Sequence, residues 1–166
     1  MEGGQWRPNE EECLKLLREY GTPERVIRHS EAVWKVAKRI ALALVQKGYH
    51  LEIDVICAAA LLHDIARQSD DHASAGAQYV LELGLDPKIS AAIATHMELP
   101  QTEEMTEAAI VYLADKLVEE DQEVSLAERF EPRIQKAAPE IQVFIQNRYE
   151  MAKQLQKRIE MALNGG

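Results

Sequence analysis

Cysteine is scarce: Cys13 and Cys57 form no CxxC pair, and two thiols cannot make a disulfide framework. Cys57 lies inside the most apolar run and reads as a small buried hydrophobe, which suits a reducing cytoplasm. Glycine and proline are also few, 8 and 6 in 166 residues, and fall mostly where helices would start or stop. That distribution excludes collagen-like, disordered and turn-rich β-sandwich chains. Long apolar runs are missing too: Val55 to Leu62 has 8 residues, against the roughly 20 that a membrane span needs. The first residues lack a basic segment followed by an apolar one, so a soluble, unexported, cytoplasmic protein without membrane contact is expected. Positive charge is short as well, with 19 Lys plus Arg against 28 Asp plus Glu, a net charge of −9 and no basic stripe along the chain. Nucleic acid is therefore not expected as a partner, because such sites draw their affinity from phosphate neutralisation. A small phosphorylated substrate is compatible with this balance where a bound metal supplies local positive charge.

What is present is helical. The chain is 46% hydrophobic, enough for one sizeable core at this length, and shows neither sustained period-2 alternation nor a repeat. Residues 1–8 and 164–166 are loose by composition, leaving one all-α domain of seven or eight helices over 9–163. Asn9 caps a helix from Glu10 to Tyr20 that stops at Gly21, and Thr22-Pro23-Glu24 opens a second that runs to about Lys47, with a break allowed near His29 and Ser30. Residues 54–67 form a helix that is apolar all round until His63 and so belongs in the middle of the domain. Further helices are predicted from His72 to Leu83, from Pro87 to about His96, from Thr106 through Glu119, from Leu126 to Ala137 and from Pro139 to about Leu163. The last carries the stripe Ile141, Ile145, Ala152, Leu155, Ile159 and Ala162.

Histidine placement singles out the chemistry. His29 shares the inward stripe of Val33, His63 lies two turns after Ile56, and His96 lies one turn after Ile93. Asp115 ends an uncharged run, where an ionised carboxylate costs a large desolvation energy unless a cation or strong donors meet it. One cation satisfies them all, and imidazole with carboxylate is the ligand set of Zn, Fe, Mn and similar ions. Adjacent His63 and Asp64 diverge by about 100° on an ideal helix. Both reach one ion only near a helix end, or if Asp64 bridges to a second ion.

The order His29, then His63-Asp64 in ALLHDIAR, then Asp115 in IVYLADKLV resembles the H…HD…D signature of HD-domain metal-dependent phosphohydrolases, over roughly residues 22–130. His72 in DHASAGAQYVL and His96 in AIATHMEL resemble the extra histidines of subgroups with a second metal. The resemblance implies an all-helical bundle with His29, His63, Asp64 and Asp115 on one ion and Asp64, His72 and His96 on the other. Two subgroups are similar: hydrolases of symmetrical dinucleoside tetraphosphates, and small HD domains found alone or beside molybdenum-cofactor nucleotidyltransferase-like domains. The implied enzyme hydrolyses a phosphoester or phosphoanhydride of a small molecule, a nucleotide or dinucleotide, by attack of a metal-bound hydroxide. Two divalent ions are expected, iron first, with Mn, Zn, Co or Ni also admitted by these ligands.

Among neighbouring residues, Asp64 is the central catalytic candidate. Arg67 either holds a substrate phosphate or makes a surface salt bridge, and Lys116 either adds charge at the site or points away. His50, Asp70 and Asp71 read as surface, and Trp34, Tyr79 and Tyr112 as core or rim. The loops at 68–71 and 97–105 are expected to frame the entrance, and the last helix packs on its own core or across a homodimer. Motifs for nucleotide-binding loops, zinc proteases and serine hydrolases are absent from the sequence. Two rival functions share these residues: a di-iron oxygenase of the same superfamily, and a non-catalytic metal- or nucleotide-binding module.

Overall fold

Local capping chemistry sets most helix ends. In the computed structural model, which describes residues 4–95 and 105–165, Asn9 and Glu12 form a reciprocal capping box for α1 (Glu10–Tyr20), and Gly21 ends it at φ 92°. Helix α2 (Glu24–Gln46) runs unbroken through His29 and Ser30, because Ser30 is buried in the same stripe as Val26, Ile27 and Val33. Thr22 is not its cap: the hydroxyl donates instead to the carbonyl of Ile65, 3.1 Å away, tying the start of α2 to the turn after α3.

Helix α3 (Ile53–Leu62) is buried on every side from Val55 onward and packs against α1, α2, α5 (Pro87–Ala94) and α6 (Glu107–Lys116). Complete burial of side chains such as Ile56, Leu61 and Leu62 contributes roughly 1.5–3 kcal/mol each, so this short helix anchors the bundle. It ends at Leu62 rather than continuing to Arg67, and turns lead from His63 to α4 (His72–Glu82). Asp86 caps α5 through Lys88 N, and Thr106 caps α6 through Ala109 N.

Helix α6 stops at Lys116, short of the predicted Glu119. A hairpin of β1 (Val118–Glu119) and β2 (Gln122–Glu123) follows, with Glu120 at φ 56° in its turn. Ser125 and Glu128 then box the start of α7 (Leu126–Lys136), which packs on α8 (Pro139–Asn164). Ala152, Leu155 and Ile159 of the predicted α8 stripe are buried, whereas Ile141 is exposed because α8 begins before it meets the core. The described residues thus hold eight helices in an all-α arrangement, none long and apolar enough to cross a membrane.

Trp6, Arg7 and Asn164 are held more firmly than composition suggests. Trp6 forms a bridge with Leu85, and Arg7 pairs with Glu52 at 2.8 Å, Asp86 at 2.9 Å and Asp54 at 3.2 Å. At the other end α8 continues to Asn164. Cys13 and Cys57 are both buried free thiols, and burial pushes Cys57 up to about 11 and Cys13 higher still. Since the thiolate is the reactive form, neither should be alkylated by iodoacetamide at pH 8 until urea unfolds the chain. Rapid labelling of the native protein would mean that α1 does not hold its seat.

Candidate functional site

His63 is the residue that caps the C-terminus of α3, and Asp64 lies in the following turn. Ending the helix there releases the two side chains from the divergence that an unbroken helix would impose. His29 comes from the middle of α2, His72 from the first turn of α4 and Asp115 from the last turn of α6. The fold brings all five to one place. His96 lies outside the described residues.

Backbone carbonyls set the two central imidazoles. Nδ1 of His63 lies 2.7 Å from the carbonyl of Ala60, and Nδ1 of His29 lies 2.7 Å from the carbonyl of Glu120 in the hairpin turn. A carbonyl only accepts, so Nδ1 carries the proton in both rings. Nε2 of His29 and of His63 then stand 3.1 and 3.2 Å from Oδ1 of Asp115. In a neutral ring that nitrogen is itself an acceptor. Two acceptors at this distance need a cation between them, either a proton on a ring or a metal ion. Ligand atoms about 2.1 Å from a shared ion lie roughly 2.9–3.4 Å apart for angles of 90–109°, which these separations match. The donor set therefore fits a divalent ion, and the two pinned Nδ1 groups are the outer contacts that fix ligand orientation in such sites.

Asp64 presents its two oxygens to different partners. Oδ2 lies 3.5 Å from His63 Nε2 and 3.6 Å from His29 Nε2, while Oδ1 lies 3.6 Å from His72 Nε2. His29, His63 and Asp64 place one ligand atom each within 4.8 Å of one another. The carboxylate thus turns one oxygen to the His29 and His63 side and the other to His72. Oδ2 of Asp115 accepts from Lys116 Nζ at 2.9 Å, and that ammonium also lies 4.6 Å from the centre of the Tyr112 ring. Burial works against charge on both Asp115 and His63. For Asp115 the Lys116 charge and the bonds from His29 and His63 outweigh it and hold the carboxyl well below its ordinary range. For His63 the charge of Asp64 and the bond and charge of Asp115 outweigh it and raise the imidazole to about 9.

Gly76 makes the approach of α4 close enough. A Cβ there would stand 3.3 Å from Ile65 Cγ2 and 3.6 Å from Ile93 Cγ2, and His72 lies one turn earlier on the same face. Gly76→Leu should cost about 1–3 kcal/mol through overpacking and draw His72 away from Asp64. Thermal unfolding and metal retention report the two effects separately; a variant that keeps both wild-type values would separate His72 placement from this packing.

A cavity of about 550 Å³ opens beside the cluster, within the roughly 300–1,000 Å³ of small-molecule sites. His29, Asp64 and Asp115 lie on its wall together with Lys116 and six arginines: Arg25, Arg28, Arg67, Arg129, Arg133 and Arg148. The sequence shows no basic stripe because these residues come from α2, the turn after α3, α7 and α8. Only folding makes them neighbours. Arg67 lies on the cavity wall with Nη1 3.5 Å from Oδ2 of Asp64, a buried carboxylate rather than a surface partner. Lys116 turns inward to Asp115. The wall is built by α2, the turn after α3, α6, the hairpin, α7 and α8, not by residues 68–71, and residues 96–104 lie outside the described part. His50 is exposed, as expected, and Trp34 and Tyr112 are in the core.

Comparison with known proteins agrees with this architecture. The family model for the HD domain matches residues 26–120. The chain is 32% identical over 137 residues to tRNA (cytidine(56)-2'-O)-methyltransferase of Picrophilus torridus, covering 72% of this chain and 39% of that protein. It is 34% identical over 93 residues to the enzyme of the same name from Thermoplasma volcanium, covering 54% of this chain and 26% of that protein. An uncharacterized protein of Methanocaldococcus jannaschii is 30% identical over 156 residues, covering 81% of this chain and 92% of that protein. The chain thus spans well under half the length of the two methyltransferases and nearly all of the third relative. No solved structure matches it. With the HD-domain match running from α2 to the hairpin turn, across His29, His63-Asp64 and Asp115, the chain belongs to the HD-domain family.

Proposed function

We propose that the protein is a metal-dependent phosphohydrolase acting on a small phosphorylated molecule of the nucleotide class. The observation that carries this reading is the pair of imidazole nitrogens facing Asp115 Oδ1 at 3.1 and 3.2 Å beside an arginine-lined cavity. His29, His63, Asp64 and Asp115 would hold one divalent ion, and Asp64 and His72, with His96, a second. Such ions supply Lewis acidity toward phosphoryl oxygens and lower the pKa of a bound water toward neutrality. The protein's own groups do the rest. Asp64 and Asp115 fix the negative side of the centre, Lys116 fixes Asp115 in turn, and Arg67 stands at the cavity face where a transferring phosphoryl group gathers charge.

The tRNA-directed names of two relatives support including nucleotides among candidate substrates. Their match covers a minority of those proteins, so methyl transfer is not carried over to this chain. The test is phosphate release from a panel of mononucleotides, dinucleotides and sugar phosphates with iron or manganese, with dissolved oxygen followed in the same vessel. Release without oxygen uptake is the expected result. Oxygen uptake with a candidate diol or phosphonate, and no phosphate released from any phosphorylated compound, would replace this reading with an oxygenase.

A further inference from the structure

The cationic groups on the cavity wall divide by what already holds them. Lys116 is bound to Asp115, and Arg129 Nη1 donates to the carbonyls of Asp115 and Val118 at 3.2 and 2.5 Å, bracing the end of α6. Arg67 lies by Asp64. The remaining four lie on the same wall, Arg148 near enough to Lys116 for its charge to disfavour the ammonium. Arg133 meets Glu119 at 3.2 Å and Arg28 meets Asp121 only at 3.8 Å, with every side chain in these two pairs roughly half exposed. Exposed pairs of this kind contribute little and exchange readily with another anion. Arg25 and Arg148 make no ion pair among the described residues, although both face the cavity.

Their positions follow from helix geometry. Arg25 precedes His29 by four residues of α2 on the same face, and Arg133 follows Arg129 by four residues of α7. Each spacing is about 6 Å along its helix axis, so both arginines sit a turn beyond the groups that touch or brace the cluster. Arg148 comes from α8, one turn after Ile145, and Val26 and Phe130 add apolar wall. Glu119, Glu120 and Asp121 share this wall, yet its cationic side chains outnumber its carboxylates in a chain of net charge −9.

We infer that Arg25, Arg28, Arg133 and Arg148 form a second anion subsite, so that the substrate carries at least two phosphate groups, one at the His/Asp cluster and one held by these guanidinium forks. The inference rests on the phosphohydrolase reading for what happens at the cluster, but the subsite itself is defined by binding. Guanidinium recognises phosphate through paired, charge-assisted hydrogen bonds, and removing one such fork weakens binding by about tenfold or more.

The test is calorimetric titration of the full chain with inorganic tripolyphosphate and, separately, orthophosphate, with and without EDTA. It compares wild type with the double variant Arg25→Gln/Arg148→Gln, and with Arg18→Gln on α1 as a charge control. Tripolyphosphate should bind wild type well above orthophosphate, lose 10- to 100-fold in the double variant and change little in Arg18→Gln. Tripolyphosphate affinity equal in wild type and double variant would overturn the subsite, whether or not turnover is seen. Arginine-dependent binding with no hydrolysis of any substrate would uphold the subsite and remove the hydrolase reading instead.

Discussion

Asp64→Asn is expected to abolish phosphate release while leaving the protein folded. The side chain is nearly isosteric, so the packing of the turn after α3 is retained, yet the amide has one carbonyl oxygen where the carboxylate sets one oxygen toward His29 and His63 and the other toward His72. A neutral group cannot balance two neighbouring cations. Loss of a preorganised electrostatic partner in a water-poor site costs about 10²- to 10³-fold in turnover, and a position shared by both candidate centres should reach the upper end. The circular dichroism spectrum and thermal midpoint would report the fold, and phosphate release the chemistry. A folded variant with wild-type activity would end the proposed mechanism.

Asp115→Ala should be the most destabilising substitution in the cluster. Asp115 and Lys116 are each 5% exposed and joined at 2.9 Å, and the same carboxylate faces His29 and His63. Removing one partner of a buried pair while leaving the other costs about 3–5 kcal/mol, because the remaining charge has lost its counter-charge. The contrast is Arg39→Gln, which breaks a bidentate pair with Glu123 in which both side chains are about half exposed. An exposed pair contributes at most about 1 kcal/mol. Urea unfolding of both variants in EDTA separates the cases: a midpoint shift several times larger for Asp115→Ala is the expected outcome. Equal shifts would mean that the buried cluster is not under electrostatic tension.

Different parts of the molecule were legible in the sequence to different degrees. Ends set by local chemistry read correctly: Asn9, Gly21, Asp86 before Pro87, and Ser125 with Glu128 each satisfy backbone groups within one turn, so no knowledge of the fold is needed. The end of α6 did not. The apolar pattern continues past Lys116, but Val124 N bonds to the carbonyl of Leu117 and Glu120 takes φ 56°, closing a hairpin whose strands are too short to leave a period-2 signal. That hairpin matters to the site because its Glu120 carbonyl orients His29.

The site shows the same division. His29, His63 and Asp115 could be singled out because a polar group on an apolar stripe is conspicuous in one dimension, Asp64 because it adjoins His63, and His72 only through the resemblance to subgroups with a second metal. The arginines could not, since Arg25 and Arg28 on α2 or Arg133 on α7 look like ordinary solvated residues until α7 and α8 fold over the mouth of the cluster. Thr22 misled for a related reason. A threonine before Pro-Glu reads as a cap, yet its hydroxyl is used across the fold on Ile65.

Metal content per chain tests the central claim most directly. Elemental mass spectrometry on protein purified without added metal or chelator should find close to two equivalents of a divalent metal, falling toward one in His72→Ala, with His29→Ala losing the other centre. Metal-free protein whose wild-type fold and activity are unchanged by EDTA would contradict the account, leaving His29, His63, Asp64 and Asp115 as a proton-bridged structural cluster.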